Sequence, residues 1–381
     1  MGFFIALMGP RLRAETTATP AELVELGRAI FFDANLSEPK GTSCASCHDP
    51  EQAFSGSHGS TIGVPRGSRP DHFARRTSPS LLYLKYVPAF RYYQEGDDPQ
   101  LAPFGGLFWD GRVDTIRELA RQPLLNPDEM NNPDGRSIAR KIAVGSYAKA
   151  FVRAFGPGPR DPEITLASVG RALEAFLLSD EMAPFSSKYD EVVRGRDRLT
   201  AVEMQGLRLF QDPAKGGCFG CHAFSDTAKD PTSSMFTDYG YDAAAVPGNP
   251  KVREKRKPDL GLCERTDQTT PSADPMYCIN FRTPSLRNVA VRGAFMHNGA
   301  FTRLRDAVAF YATRDTNPGR WYRSGVKFDD APKKYRGQVN VTSPPYNRRA
   351  GDPPVLNDQE VDAIVAFMRT LTDARYRRIA Q

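Results

Sequence analysis

Two stretches of this sequence, CASCH at residues 44–48 and CFGCH at 218–222, set two cysteines two residues apart, directly before a histidine. Two thiols at that spacing can reach the two vinyl groups of one haem, and the adjoining imidazole then falls under the iron. C-x-x-C-H therefore reads as a c-type haem attachment site. Cys44, Cys47, Cys218 and Cys221 are the expected attachment points of two covalently bound haems c, with His48 and His222 as iron ligands. A zinc ribbon could use four cysteines, but it needs its thiolates in one compact unit. Here the pairs lie in different halves of the chain, each with its own histidine.

A porphyrin must be buried by the elements around it, and the sequence writes one frame twice. Ahead of the first motif, TPAELVELGRAIFFD starts with Thr19 as N-cap, Pro20 at the first helical position and Glu22 three residues after the cap. Apolar residues follow at helical spacing. TAVEMQGLRLFQD repeats this ahead of the second motif with Thr200 and Glu203, and Gly27 and Phe31 correspond to Gly206 and Phe210. Further on, ALEAFLLS (172–179) corresponds to AIVAFMRT (363–370), in a helix that opens at Asn357 with Glu360 three residues later. Each half reads as helix, haem motif, long loops and closing helix, the order of a small c-type cytochrome. The expected fold is mainly α, with two tandem cytochrome c-like domains at 19–195 and 196–375, each holding one covalent haem among long irregular loops.

A chain of 381 residues has room for two cores, and 31 glycines with 31 prolines fit long connections. The net charge of +6 is modest and haem propionates would offset much of it, so no nucleic-acid partner is expected. The basic run KVREKRK (251–257) reads as a solvated loop. Residues 1–18 open with an apolar run at 3–8 that looks like the tail of a secretory signal, and no stretch approaches a membrane span. Covalent haem attachment takes place outside the bacterial cytoplasm, so a periplasmic location is expected. In that compartment Cys263 and Cys278 would enclose a polar loop as a disulfide, or stand as two free thiols.

FWDGR (108–112), QPLLNPDEM (122–130), FRTPSLRNV (281–289) and FMHNGAFTRLRDAVAFY (295–311) together resemble the bacterial di-haem cytochrome c peroxidase superfamily. The resemblance runs from about residue 19 to 375 and is strongest to the MauG branch, whose members use peroxide to oxidise aromatic side chains of a partner protein. It implies an enzyme that takes hydrogen peroxide at the first haem and reaches a high-valent state shared by both haems. That state would oxidise a Trp or Tyr of a periplasmic protein substrate during its maturation. The alternative is a di-haem cytochrome c peroxidase that reduces peroxide with electrons from a small redox protein, a cytochrome or cupredoxin. A non-enzymatic electron carrier is the third reading.

The resemblance also implies roles for individual residues. In the peroxidases the sixth ligand of the second haem is a Met at a fixed distance after the H-x-G turn, and the count from His297 and Gly299 reaches Tyr311, a Tyr as in MauG. Phenolate favours oxidised iron, whereas Met favours reduced iron. Met296 is the other candidate ligand. The open face of the first haem is lined in the family by a Glu and a Pro, matching Glu129 and Pro123, and Glu129 can relay a proton between the peroxide oxygens. Trp109 matches the tryptophan that stands between the haems.

Several positions depart from the family. Leu119 replaces a Gln four residues before the Pro. The calcium-site positions hold Arg76, Arg292 and Ala294, and two guanidinium groups oppose a divalent ion, so calcium is not expected. Gly216 replaces a tryptophan that carries holes to the partner in MauG. His58 and His72 lie in the loop where relatives keep a displaceable ligand, and neither matches its spacing.

Overall fold

The computed structural model describes residues 16–94, 96–97, 101–157, 161–252, 257–265, 275–322 and 325–380. The apolar run at 3–8 and the middle of the basic run lie outside them. Among the described residues the architecture is mainly helical. The first half carries α1 (Pro20–Phe31), the single-turn α2 (Cys44–Cys47), α3 (Ile116–Leu125), α4 (Gly135–Ala143), α5 (Ala148–Phe155) and α6 (Pro162–Leu177). The second carries α7 (Lys188–Val193), α8 (Ala201–Gln211), α9 (Leu304–Thr313) and α10 (Asp358–Arg369). Strand is limited to two short antiparallel pairs, β1 (Arg91–Gln94) with β2 (Leu101–Phe104) and β3 (Tyr241–Asp242) with β4 (Phe281–Arg282).

The helix starts follow the local sequence. At α1 the Thr19 hydroxyl accepts the Glu22 N–H while the Glu22 carboxylate accepts the Thr19 N–H. Thr200 with Glu203 at α8 and Asn357 with Glu360 at α10 do the same. Each such box satisfies two backbone donors that the helix itself leaves free.

Long-range packing repeats as well. α1 lies on α6, and α8 lies on α10. A Cβ added to Gly27 would stand 2.0 Å from the Ala172 carbonyl oxygen and 2.9 Å from Phe176 Cβ. One added to Gly206 would stand 2.0 Å from the Ala363 oxygen and 2.9 Å from Phe367 Cβ. Only glycine permits either approach. Beside these contacts Phe31 meets Phe176 with ring centroids 5.3 Å apart, and Phe210 meets Phe367 at 5.4 Å. These rings sit at the centres of two apolar cores, one in each half.

A buried polar joint ties the halves together. The Tyr83 hydroxyl lies 2.9 and 2.8 Å from the two Asp373 oxygens, and Asn288 Nδ2 donates to the same carboxylate at 2.6 Å. Arg287, fully buried, pairs with buried Asp190 at 2.9 Å and lies over the rings of Tyr83 and Phe185. Pairing of this kind is what makes a buried charge tolerable. Cys263 and Cys278 are disulfide-bonded, which on the chain-entropy model contributes about 3 kcal/mol. No helix among the described residues is long and apolar enough to cross a membrane.

Candidate functional site

The CASC segment forms the single turn α2, whose N-cap Ser43 and third residue Ser46 close a capping box. Cys44 and Cys47 are thus three apart on one turn, and three-apart side chains share a helix face. His48 follows as C-cap, with Nδ1 3.1 Å from the carbonyl oxygens of Phe54 and Pro79. His222 repeats this, with Nδ1 3.1 Å from the Phe236 carbonyl and a second contact to that of Pro284. Phe54 and Phe236 both adopt φ 54°, a left-handed conformation that turns each carbonyl toward its histidine.

A ring that donates Nδ1–H to a carbonyl leaves Nε2 unprotonated and available to a metal. Burial lowers both imidazole pKa values to about 4 against the opposing carbonyl contacts, so both rings are neutral at pH 7. Burial also pushes the four motif thiols up to about 12. Un-ionised thiols beside a neutral imidazole do not suit a site that needs thiolates. Among the described residues no group of three or more His, Cys, Asp or Glu could hold a metal ion.

Beside the thiols of the first motif stands a buried acidic group, Glu129, while Asp33 is felt at Cys44. Thr115 caps α3 by accepting the Glu118 N–H, and Pro123 lies in the last turns of that helix. The chain then turns so that Asn126 Nδ2 donates to Glu129 Oε1 at 2.9 Å and the Met130 N–H reaches the Pro123 carbonyl at 3.1 Å. Burial, helped by Asp128, raises the Glu129 pKa, and Arg112 and Asn126 oppose the rise. The charge of Glu129 is felt in turn at the Cys47 thiol. Leu119 packs against the first-half core. Two sequence motifs meet here, because Arg112 Nε donates to Gln122 Oε1 at 2.7 Å and the same guanidinium pairs with Asp110 at 2.9 Å. Beside Glu129, His72 Nδ1 is 2.8 Å from Asp128, while His58 Nδ1 is 2.8 Å from the Arg66 carbonyl.

The second cavity brings together Cys218, Cys221, His222, Met296 and Tyr311. Tyr311 comes from α9, and its hydroxyl is 3.9 Å from Met296 Sδ, so the two candidate ligands stand side by side. Sequence reasoning missed Tyr346, which also lines this cavity. Its ring stacks on that of Tyr311 at 5.8 Å, and the Arg314 guanidinium sits 3.8 Å from its centroid. Burial raises both phenol pKa values, with Asp242 adding to the rise.

Trp109 connects the two halves. It is 8% exposed, and its indole N–H donates to the Thr77 carbonyl of the first half at 3.0 Å. Its own carbonyl accepts the Arg282 N–H at 2.8 Å, and its side chain lines the second cavity. Of the calcium-position residues, Arg76 is turned into carboxylates, 2.6 Å from Asp110 and 2.6 Å from Asp259. Arg292 Nε instead donates to the Ala294 carbonyl at 3.3 Å.

Another duplication escaped the sequence reading. Pro79–Ser80–Leu81 and Pro284–Ser285–Leu286 occupy equivalent places behind the two histidines. Ser80 donates to the Ala53 carbonyl and Ser285 to that of Met235, each at 2.6 Å. The repeated Pro-Ser-Leu was the available signal.

A family model described as di-haem cytochrome c peroxidase matches residues 21–198. The chain is 34% identical to the methylamine utilization protein MauG of Paracoccus denitrificans, over 99% of this chain and 96% of that protein. It is 27% identical to the cytochrome c551 peroxidase of Nitrosomonas europaea, over 93% of this chain and 81% of that one. Among solved structures it is similar to the diheme peroxidase BthA of Burkholderia thailandensis, with a TM-score of 0.88 and 51% identity, covering 96% of this chain and 91% of that one.

Proposed function

Because this chain belongs to the di-haem cytochrome c peroxidase family, as a MauG-like oxidoreductase with peroxidase-like chemistry, we propose that it oxidises Trp or Tyr side chains of a partner protein with hydrogen peroxide. Cys44, Cys47 and His48 would hold one haem c, and Cys218, Cys221 and His222 the other. When bound, the haems supply the redox chemistry that accepts and stores the oxidising equivalents of peroxide. The disulfide between Cys263 and Cys278 supports a periplasmic setting, since such bonds persist in oxidising compartments.

The protein's own groups carry the rest. Glu129, oriented by Asn126, takes a proton from one peroxide oxygen and returns it to the other, so that the departing oxygen leaves as water. Leu119, where the family keeps a Gln, packs against the first-half core and offers no competing proton carrier. At the second cavity Tyr311 is the proposed sixth ligand, a phenolate that favours oxidised iron, with Met296 as the alternative. Calcium has no part in this proposal, because Asp110 is already paired with Arg76 and Arg112, and Asp259 with Arg76 and Arg75.

The observation that carries the reading is the placement of Trp109, bonded to Thr77 and lining the second cavity. A folded partner cannot enter a haem pocket, so electrons must leave it at long range, and an indole bonded to the first half while lining the second cavity would give them a route. Trp109→Phe should keep both haems and the reaction with peroxide but stop modification of the partner. Mass spectrometry of a candidate partner treated with enzyme and peroxide counts the modified residues. Modification by the Phe variant at the unaltered rate would falsify the route.

A second reading is peroxide reduction with electrons from a small cytochrome or cupredoxin. It is favoured by the 51% identity to a protein named a diheme peroxidase. Sustained turnover with such a reduced donor, and no covalent change in any partner, would select it.

A further inference from the structure

Two guanidinium groups of the second cavity form no ion pair among the described residues, although Asp242, Asp259 and Asp330 also line it and Asp110 is felt at Arg282. Arg282 Nε donates to the Phe108 carbonyl at 3.2 Å, and Arg292 reaches only the Ala294 carbonyl at 3.3 Å and the Thr77 hydroxyl at 3.4 Å. Both line the cavity, and neither guanidinium is ion-paired among the described residues. Both residues are partly exposed, and the protein around them lowers both pKa values, that of Arg292 to about 10. His297 lines the same cavity at 6% exposure, and its Nε2 has no hydrogen-bond partner, the nearest carboxylate oxygen being that of Asp330 at 3.7 Å. Its ring lies flat on Phe281, 3.7 Å away.

Other buried guanidiniums in this protein are treated differently. Arg76 meets Asp110 and Asp259, Arg287 meets Asp190, and Arg314 meets Asp315. A buried cation without a counter-ion is strongly unfavourable. Two half-buried cations without a directly paired acid and an orphan ring nitrogen, all lining one cavity, therefore mark the place of an anion that the polypeptide does not supply.

We infer that Arg282 and Arg292 are the anion-binding groups of the second cavity, and that the anions they take are the two propionate carboxylates of its haem, with His297 as a further donor. The inference rests on the reading that a haem occupies this cavity. It assigns the two arginines a positioning role with an electrostatic consequence. Arg282 is bonded to the Trp109 carbonyl, and Arg292 touches the Thr77 that holds the indole. Left uncancelled, their charge would oppose removal of an electron from Trp109; paired with propionates, it does not.

The test uses the full-length holoprotein with Arg282→Gln and Arg292→Gln, each beside its Lys counterpart. Intact mass reports whether both haems are present, resonance Raman reads the propionate bending bands, and spectroelectrochemistry reads the midpoint potential of the second haem. The Gln variants should retain both haem masses, shift the propionate bands and lower that potential, because loss of a cation favours oxidised iron. The Lys variants should keep most of the wild-type potential. Wild-type protein lacking the second haem mass would sink the underlying reading itself. Gln variants with both haems, unmoved bands and unmoved potential would overturn the inference alone. Where a Gln variant does not retain the haem, the Lys variant decides: recovery of haem and potential supports the pairing, and no recovery overturns it.

Discussion

In both halves a glycine seats one helix on the carbonyl of an alanine in another, and a histidine Nδ1 rests on the carbonyl of a phenylalanine with φ 54°. Across the cavity the halves part. Near its motif the first has a buried carboxyl, Glu129, in a loop that bonds back to Pro123; the second presents Tyr311, Met296 and Tyr346. The frame that would hold a haem is duplicated, whereas the wall that would decide what the haem does is not. A buried carboxyl that can carry a proton suits a reacting site. A cavity whose far wall offers a ligand suits a site that stores charge.

The sharpest way to break this comparison is Glu129→Gln. An amide cannot take and return the proton, so stopped-flow measurement of the peroxide step should show a loss of about 10²- to 10⁴-fold, with the second-cavity spectrum unchanged. Glu129 must begin ionised to take a proton. Since burial raises its pKa, the rate should fall as pH drops through a value above the ordinary carboxylate range. The Gln variant should lack that limb. An equal rate in both proteins would remove Glu129 from the reaction.

Next in size is the ligand on the opposite wall. Tyr311→Phe should alter the absorption spectrum of the second haem and leave the first reactive with peroxide, while Met296→Leu should leave the spectrum unchanged. The reverse result would hand the ligand role to Met296.

Smaller still is the effect on the shared frame. Gly27→Ala and Gly206→Ala should each cost about 1–3 kcal/mol through overpacking, and by similar amounts, because the approach to the facing carbonyl is 2.0 Å in both. Denaturant titration that finds one change costly and the other neutral would show the likeness to be geometric only. Chelation should do least, leaving peroxide turnover as it was. Activity lost with a chelator and restored by calcium would show that Arg76 and its carboxylates do not stand in for a divalent ion.

What the sequence made legible was local. The C-x-x-C-H turns, the capping boxes at Thr19, Thr200 and Asn357, and the matched Gly27 and Gly206 depend on spacings of a few residues, and hydrophobic periodicity exposes them. The joint between Tyr83 and Asp373 spans 290 positions and leaves no such trace. Tyr346 was missed for the same reason, since it joins Tyr311 from a loop with no motif of its own. Arg76 and Arg292 looked equivalent as charges opposed to a cation. Only the fold separates them, giving one its carboxylates and leaving the other facing a cavity.

The close seating of glycine on carbonyl also sets an order of events during synthesis. α1 has nothing to lie on until α6 exists, and α8 must wait for α10, so each C-x-x-C-H turn stays open to water while the rest of its half is being made. Once Gly27 reaches Ala172 and Gly206 reaches Ala363, the motif thiols are half-buried and the surrounding protein lifts their pKa values to about 12, where almost none is thiolate at neutral pH. Under the proposed function, thioether formation at these residues would belong to the interval before the last helix docks. With the first half complete before the second is written, attachment at Cys44 and Cys47 would come ahead of attachment at Cys218 and Cys221.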